Sequence, residues 1–230
     1  GLRRGRPAVN QSALGITAFT SLTAAAALAL ALPVAIVVGW ALARLSFRGK
    51  SIVETAVSLP LVLPPVAIGL VMLQLLGRNR ALGRWLDSAG IEVVFTWKAV
   101  VLAMAVMSLP LMVLTIRAGF EQVDRRLEGM AATLGAHPVR VFLTITLPLA
   151  RRSVIAGALL GFARALGEFG ATIVVAGGIP GQTQTLAVAI FNLSEAGREA
   201  DANGLMLVSI AVAFVVVAAA NALLRRERRP

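Results

Sequence analysis

Residues 16–43 have the sequence ITAFTSLTAAAALALALPVAIVVGWALA, at the end of a stretch without charge that extends from Pro7 to Ala43. An α-helix rises about 1.5 Å per residue, so roughly 20 apolar residues cross the hydrocarbon core of a bilayer. This stretch exceeds that length. It therefore predicts a first membrane span over about residues 16–43.

Four further apolar runs are long enough to cross a bilayer, at about residues 52–76, 93–116, 153–176 and 203–224. The chain has 230 residues, of which 58% are hydrophobic and 14% charged. Its mean hydropathy is +0.84. A soluble domain of this length cannot bury so much apolar surface. We predict an all-α integral membrane protein with five transmembrane helices in one domain over residues 1–230.

The charges indicate how the spans are oriented. Lys and Arg number 22 against 11 Asp and Glu, giving a net charge of +11. They form short clusters beside the apolar runs, which is typical of a membrane protein and excludes nucleic-acid binding as the main function. The larger positive count falls on the side of loop 117–152 and the C-terminal arginines. We predict that this side is cytoplasmic and the N-terminus outside, although Arg3, Arg4 and Arg6 oppose that orientation.

The residue inventory also excludes several kinds of chemistry. The chain has no Cys and one His, so disulfides and a Cys-ligated or multi-His metal centre are ruled out. No catalytic pairing of carboxylates or of Ser with His is present. We therefore predict no enzymatic activity and no cofactor bound by this chain.

Loop 117–152 is about 36 residues long, whereas helix connections commonly have 2–8. Its apolar residues recur three and four apart, as in amphipathic helices, and Gly135 interrupts them. The loop therefore predicts a helix, a turn and a second helix. An amphipathic hairpin on a small membrane protein is a docking element for a partner.

The most informative part of this loop is residues 126–148, with the sequence RLEGMAATLGAHPVRVFLTITLP. They resemble the cytoplasmic loop of ABC-importer permeases, in which Glu-Ala-Ala is followed after three residues by Gly, after nine more by Ile, and one residue later by Leu-Pro. Gly135, Ile145 and Leu147-Pro148 match, as does Ala131, whereas Gly129 and Met130 replace the Glu and the first Ala, and Glu128 lies one place early.

The resemblance implies that the short helix of this loop seats in a groove of an ATPase subunit, with Leu134 and Phe142 as apolar anchors. The coupling residues implied in this way are Glu128, Ala131, Ala132, Leu134, Gly135, Ala136, Phe142, Ile145, Leu147 and Pro148.

The resemblance extends over most of the chain and narrows to the oxyanion permeases. It is carried by SLPLVLPP at 58–65, MSLPLM at 107–112, FARALGEFGATI at 162–173 and IPGQTQTL at 179–186. The third stretch is shared with sulfate permeases, and the fourth, with the five-span layout, favours the molybdate permeases. The type I ABC-importer permease fold is implied.

The resemblance also implies a multi-pass subunit in the inner membrane of a prokaryote that imports molybdate by alternating access. It implies a homodimer with two ABC ATPase subunits that bind ATP and Mg, and an extracytoplasmic molybdate-binding protein. Sulfate, tungstate and thiosulfate remain alternative cargoes. An ATP-independent channel or scaffold remains the alternative of another class.

Six residues are candidates for a translocation pathway or gate. Four prolines lie within predicted spans, namely Pro60, Pro64, Pro65 and Pro110, and each removes a helical hydrogen bond. They predict kinks or breaks in these helices. Such a break serves either helix packing or a translocation pathway. Arg164 and Glu168, four apart, are expected to pair on one helical face, either as part of an anion pathway or as a structural tie. Thr183 and Thr185 lie in a loop predicted to be external. This loop either contributes to the gate or to contact with a binding protein, or it is an ordinary polar connection.

Overall fold

The computed structural model describes residues 13–226, and the side chains of residues 13–219. Within that part the chain forms helices and turns and no strand, which confirms the all-α fold class. The N-terminal arginines and the side chains of the four C-terminal arginines, on which the predicted orientation partly depends, lie outside the described residues.

Helices succeed one another along the chain with short connections. They are α1 (Ala13–Arg44), α2 (Lys50–Val62), α3 (Pro65–Leu76), α4 (Ala81–Ser88), α5 (Trp97–Gln122), α6 (Arg125–Thr133), α7 (Pro138–Val141), a π-helical turn (Phe142–Thr146), α8 (Leu147–Leu149), α9 (Arg151–Leu166), α10 (Gly170–Ala176), α11 (Leu186–Glu195) and α12 (Glu199–Arg226).

Among the described residues three helices are long and apolar enough to cross a membrane, namely α1, α5 and α12. The number rises to five if each of two bent helix pairs is one span. α1, α5 and α12 coincide with the first, third and fifth predicted spans. Their burial differs: 67% of the most apolar window of α5 is buried within the chain, against 11% for α12. α12 therefore keeps most of its apolar surface available to lipid or to another chain.

The second predicted span is broken, as its prolines indicate. The helix ends at Val62, Leu63 and Pro64 adopt extended backbone conformations, and the helix resumes with Pro65 at its first position. Proline suits this position because its missing N–H has no partner in the first turn of a helix. By contrast α5 runs unbroken through Pro110.

The fourth predicted span, 153–176, is not one helix. α9 ends at Leu166 and α10 begins only at Gly170, so the chain leaves the helical path between them. One of the two bent helix pairs lies just before this break: the helical segments Pro138–Leu149 and Arg151–Leu166 meet at an angle of 71°. Since Gly167 to Phe169 carries just one charge, the hydropathy of this run gives no sign of the interruption.

The described chain divides into two compact units, and the first comprises residues 13–26, 64–104 and 166–213. In it α3 and α10 approach so closely that a Cβ on Gly69 would lie 2.9 Å from the carbonyl oxygen of Ala171. A Cβ on Gly170 would lie 2.8 Å from the Cβ of Pro65. Small residues permit this backbone contact, as is common between membrane helices.

This first unit also contains a helix that the spacing of apolar residues does not predict. α11 covers ten residues of a segment between the fourth and fifth predicted spans. Its first amide, that of Leu186, donates a 2.9 Å hydrogen bond to the Thr20 hydroxyl of α1. An apolar cluster of Ile16, Leu186, Ala189 and Leu205 then packs α11 between α1 and α12.

The second unit comprises residues 27–63, 105–165 and 214–226. Its core is the contact between α5 and α9, where a Cβ on Gly161 would lie 2.5 Å from the sulfur of Met112. α5 also meets α2, because the Arg117 guanidinium lies 2.8 Å from the Glu54 carboxylate. This unit carries α6 to α8, the segment predicted to be functional.

Candidate functional site

Residues 125–149 form a hairpin that has the predicted order of helix, turn and helix. Asp124 caps α6: its carboxylate accepts a 2.9 Å hydrogen bond from the Arg126 amide. Such a cap satisfies an amide of the first turn that has no partner within the helix.

Gly135 ends α6 in the left-handed conformation, with φ +82°. The Ala136 amide reaches back to the Ala131 carbonyl at 3.1 Å, and the Gly135 amide to the Ala132 carbonyl at 3.0 Å. These two bonds form a Schellman motif, which favours glycine at the left-handed position. The prediction that Gly135 makes the turn is thereby confirmed.

His137 and Pro138 start the second arm of the hairpin. The His137 Nδ1 accepts a 3.4 Å hydrogen bond from the Val139 amide, and Pro138 takes the first helical position. His137 is exposed and acts here as a helix cap. After α7 the backbone widens into the π-helical turn before α8.

The hairpin exposes several large apolar side chains. Leu134 is 88% exposed and Met130 is 64% exposed. Exposed apolar side chains are expected on membrane spans, which face lipid, whereas several of them in a segment outside the predicted spans are typical of an interaction site. We use the term apolar face for the exposed large apolar residues of the hairpin, which are Leu127, Met130, Leu134, Val139, Leu143 and Leu149.

Phe142 packs within the chain. Its ring lies 5.6 Å from that of Trp40 on α1 and 6.0 Å from that of Phe120 on α5, centroid to centroid. These edge-on and tilted contacts are favourable for aromatic pairs. Phe142 is half-buried, and its predicted contact with an ATPase stays a prediction.

The remaining predicted coupling residues divide between the surface and the interior of the hairpin. Ala132, Gly135 and Pro148 are exposed, whereas Ala131, Ala136, Ile145 and Leu147 are half-exposed or lie against neighbouring elements. The spacing pattern of the loop therefore includes both residues that a partner can reach and residues that hold the hairpin in place.

Glu128 is also held inside the unit. Its Oε1 accepts hydrogen bonds from Arg44 Nε at 3.1 Å and from the Thr146 hydroxyl at 2.7 Å. Arg44 is the last residue of α1, and its side chain is 7% exposed. Sequence reasoning assigns Arg44 only to a positive cluster beside a span, because nothing in a sequence links residues 84 positions apart.

The hydroxyls of Thr183 and Thr185 are engaged in local structure. Thr183 donates to the Ala176 carbonyl at 2.7 Å and accepts from the Ile179 amide at 2.9 Å. Thr185 caps α11 by accepting from the Val188 amide at 3.5 Å. Both residues are fully buried. These two side chains are therefore not part of an open polar surface, and their part in a gate stays a prediction.

Arg164 and Glu168 do not share a helical face. Arg164 lies in the last turn of α9, while Glu168 comes after the end of that helix. Glu168 is 1% exposed, and its Oε1 accepts a 2.8 Å hydrogen bond from the Ala171 amide at the start of α10. The expectation that both lie on one helix is wrong because the chain leaves the helix after Leu166, and the pairing of Arg164 with Glu168 stays a prediction.

Comparisons with known proteins identify similar chains. The model of the family described as "Binding-protein-dependent transport system inner membrane component" matches residues 31–228. The chain is 46% identical over 199 residues to the molybdenum transport system permease protein ModB of Escherichia coli K12, covering 86% of this chain and 87% of the relative. It is 44% identical over 200 residues to the protein of the same name from Haemophilus influenzae, with shares of 86% and 87%.

Among solved structures, the chain resembles one in a bacterial alginate ABC transporter crystallised with its pentasaccharide-bound periplasmic protein. The TM-score is 0.71 at 18% identity, over 93% of this chain and 78% of that one. At this identity the likeness concerns the fold. It agrees with the fold class predicted from the sequence.

Proposed function

Since the chain belongs to the family of binding-protein-dependent transport system inner membrane components, we propose that it is the permease subunit of an ATP-driven molybdate importer. The observation that carries the choice of cargo is the extended identity to molybdenum transport permeases. Import runs across the cytoplasmic membrane, in which this multi-pass subunit resides.

The hairpin is the proposed docking element for the ATPase. Its apolar face offers Leu134 and Met130 to a partner, and the Schellman motif at Gly135 fixes the turn that directly follows them. An apolar patch of this kind binds a groove by burying side chains such as leucine, each worth about 1.5–3 kcal/mol. A channel that works without ATP has no ATPase to dock, whereas a scaffold could use the same face for another partner, so ATP-dependent uptake distinguishes these alternatives.

The proposal also specifies the partners. Two copies of the chain form a homodimer around the pathway, and each copy docks one ABC ATPase subunit through its hairpin. ATP and Mg are bound by those ATPases, so this chain performs no hydrolysis. An extracytoplasmic binding protein delivers the anion, and the hairpin and C-terminus are cytoplasmic, with the N-terminus outside.

Alternating access gives the hairpin its mechanical role. ATP binding draws the two ATPases together, and the hairpins move with them because they are docked. That motion shifts the spans from an inward-open to an outward-open state, and hydrolysis returns them. Pro64, Pro65, Arg164, Glu168, Thr183 and Thr185 remain proposed pathway or gate residues, at places where the helices break or where polar side chains are buried.

The test is ATP-dependent uptake of labelled molybdate into proteoliposomes that contain this chain, the ATPase encoded beside it and the cognate binding protein. We expect uptake that requires ATP and the binding protein, resists excess sulfate and is blocked by tungstate, whose size and charge are nearly those of molybdate. Competition by sulfate would assign the chain to the sulfate permeases. Uptake without ATP would support a channel and contradict the proposal.

A further inference from the structure

We propose that Glu128 is a positioning residue, held by Arg44 and Thr146, which locks the hairpin to the end of α1 so that movement of the hairpin is passed to that helix. The inference rests on the proposed function, since it concerns how ATPase movement reaches the membrane helices. It adds a connection between the hairpin and one particular span.

The Glu128 carboxylate is a shared acceptor. Arg44 contacts it with two nitrogens, Nε at 3.1 Å and Nη2 at 3.0 Å. Thr146, in the π-helical turn, donates to the same carboxylate oxygen at 2.7 Å. One carboxylate therefore joins three elements that are distant in sequence: the end of α1, the first helix of the hairpin and its second arm.

Further hydrogen bonds join α1 to the start of the hairpin. Arg44 Nη2 also donates to the Val123 carbonyl at 2.8 Å, just before α6. In return, Arg125 Nη2 donates to the Ala43 carbonyl at 3.1 Å, one of the last carbonyls of α1 that have no partner within the helix. The two arginines thus fasten the last turn of α1 and the start of α6 to each other.

Burial makes this connection stiff. The side chains of Arg44 and Glu128 are 7% and 20% exposed, so water competes little for the pair. Hydrogen bonds between charged groups are stronger than neutral ones, and the loss of one partner leaves a charge without compensation. The ion pair of Arg198 and Asp201 is different: both side chains are more than half exposed, and such pairs contribute little.

Glu128 is separate from the docking surface. Its carboxylate turns toward α1 and Thr146, while Met130 and Leu134 of the same hairpin project outward. The apolar face therefore supplies attachment to the ATPase, and Glu128 supplies attachment to the membrane helices. A hairpin needs both in order to convert one movement into another.

The test uses the complete transporter in proteoliposomes and measures molybdate transported per ATP hydrolysed, together with retention of the ATPase. The variants are E128Q, R44Q and the double variant, with E121Q as the matched control. Glu121 forms an ion pair with Arg117 one helical turn away and is 48% exposed, so E121Q removes a carboxylate of the same unit without touching the Glu128 cluster.

We expect E128Q and R44Q to keep the ATPase bound but to lower molybdate per ATP by roughly 2- to 30-fold, the range of mutations that alter coupling between sites. Since both residues act through one contact, the double variant is expected to be no worse than the poorer single variant. A wild-type ratio in E128Q with the complex assembled, or strictly additive losses, would overturn the proposal.

Hydrogen exchange of the amides of α6 in the purified complex tests the positioning without any cargo. E128Q should accelerate exchange in residues 125–133 and E121Q should not. If the wild-type complex transported no oxyanion, the proposed function would fail, and exchange would still decide the role of Glu128. Unchanged exchange in E128Q would refute the positioning role even if transport proceeded.

Discussion

Leu134 and Phe142 belong to the same hairpin but have different surroundings: Leu134 is 88% exposed, whereas the Phe142 ring lies 5.6 Å from Trp40. The family resemblance implies that both are anchors for an ATPase. Their surroundings predict different roles, contact with a partner for Leu134 and packing within the unit for Phe142, and the difference can be measured.

Replacing Leu134 with alanine should weaken ATPase binding without unfolding the chain, because the side chain is 88% exposed and is proposed to make its contacts with that partner. Loss of a buried leucine costs about 1.5–3 kcal/mol, or roughly 10- to 150-fold in affinity. The measurement is the dissociation constant of the purified ATPase for the chain in nanodiscs. F214A, which truncates a side chain 74% exposed on α12, is the control and should bind normally. Equal affinity in L134A would contradict the docking role.

Replacing Phe142 with alanine should instead reduce stability, because the ring packs against Trp40 and Phe120. We expect a loss of roughly 1.5–3 kcal/mol in the free energy of unfolding. Trp40 is a natural reporter, so the fluorescence of the unfolding transition in detergent measures the effect, and F142L should recover most of it. A normal transition combined with lost ATPase binding would show that Phe142 is an anchor for the partner after all.

The effect of substituting Gly135 should depend on whether the new residue tolerates a left-handed backbone conformation. It should not depend on the size of the new side chain. Apart from its immediate chain neighbours, no atom of the described residues lies within 4 Å of a Cβ built there, yet its φ is +82°. G135V should therefore disrupt the end of α6 and abolish coupled uptake while the chain still folds and inserts. G135N is the matched variant, since asparagine tolerates this conformation, and it should keep substantial uptake. Wild-type uptake by G135V would refute the role of this turn.

Gly157 has no room for a side chain, because a Cβ there would lie 2.8 Å from Ile116 Cγ1 and 3.3 Å from the Met112 carbonyl. G157A should separate α9 from α5 and lower stability by about 1–3 kcal/mol, as overpacking does. Thermal unfolding in detergent is the measurement. G204A is the control: it lies in α12 with open space around it, and alanine there should be neutral or stabilising. Equal stability of both variants would contradict the close contact.

The Thr183 hydroxyl should stabilise the conformation of its loop, because it hydrogen-bonds to both the Ala176 carbonyl and the Ile179 amide. T183V leaves the buried Ala176 carbonyl and the partly buried Ile179 amide without that partner, and a buried group left unsatisfied costs about 1–3 kcal/mol. Hydrogen exchange of residues 176–183 should accelerate in T183V and stay normal in T183S, which keeps the hydroxyl. Normal exchange together with altered cargo selectivity in T183V would favour a direct part in the pathway.

The long spans can be predicted from the sequence because hydropathy and length alone determine which helices cross a bilayer. α1, α5 and α12 are predictable in this way, and so is the turn at Gly135, where glycine after an amphipathic run marks a helix end. The breaks are a different matter. Prolines indicate the interruption at Pro64, but α9 ends just before Gly167 within an apolar run, and hydropathy does not register the loss of helical hydrogen bonds.

The contacts of the hairpin and of α11 could not be predicted for a related reason. α11 is too short to span a membrane, so hydropathy does not distinguish it from a loop. In the sequence, Phe142 resembles any exposed apolar residue of an amphipathic helix, and Arg44 resembles any cation beside a span. Their partners come from elements far along the chain, and pairing at that distance depends on tertiary structure.

Hydrogen bonds in the π-helical turn at Phe142–Thr146 span five residues and not the four of an α-helix, so the turn accommodates one extra residue, and α-helical backbone borders it on both sides. Removing a single residue would restore ordinary helical spacing and rotate the rest of the helix by about 100°. Thr146 would then swing away from Glu128. The number of residues between Gly135 and Leu147-Pro148 is therefore fixed by geometry, and related sequences should differ here by substitution but not by a one-residue deletion.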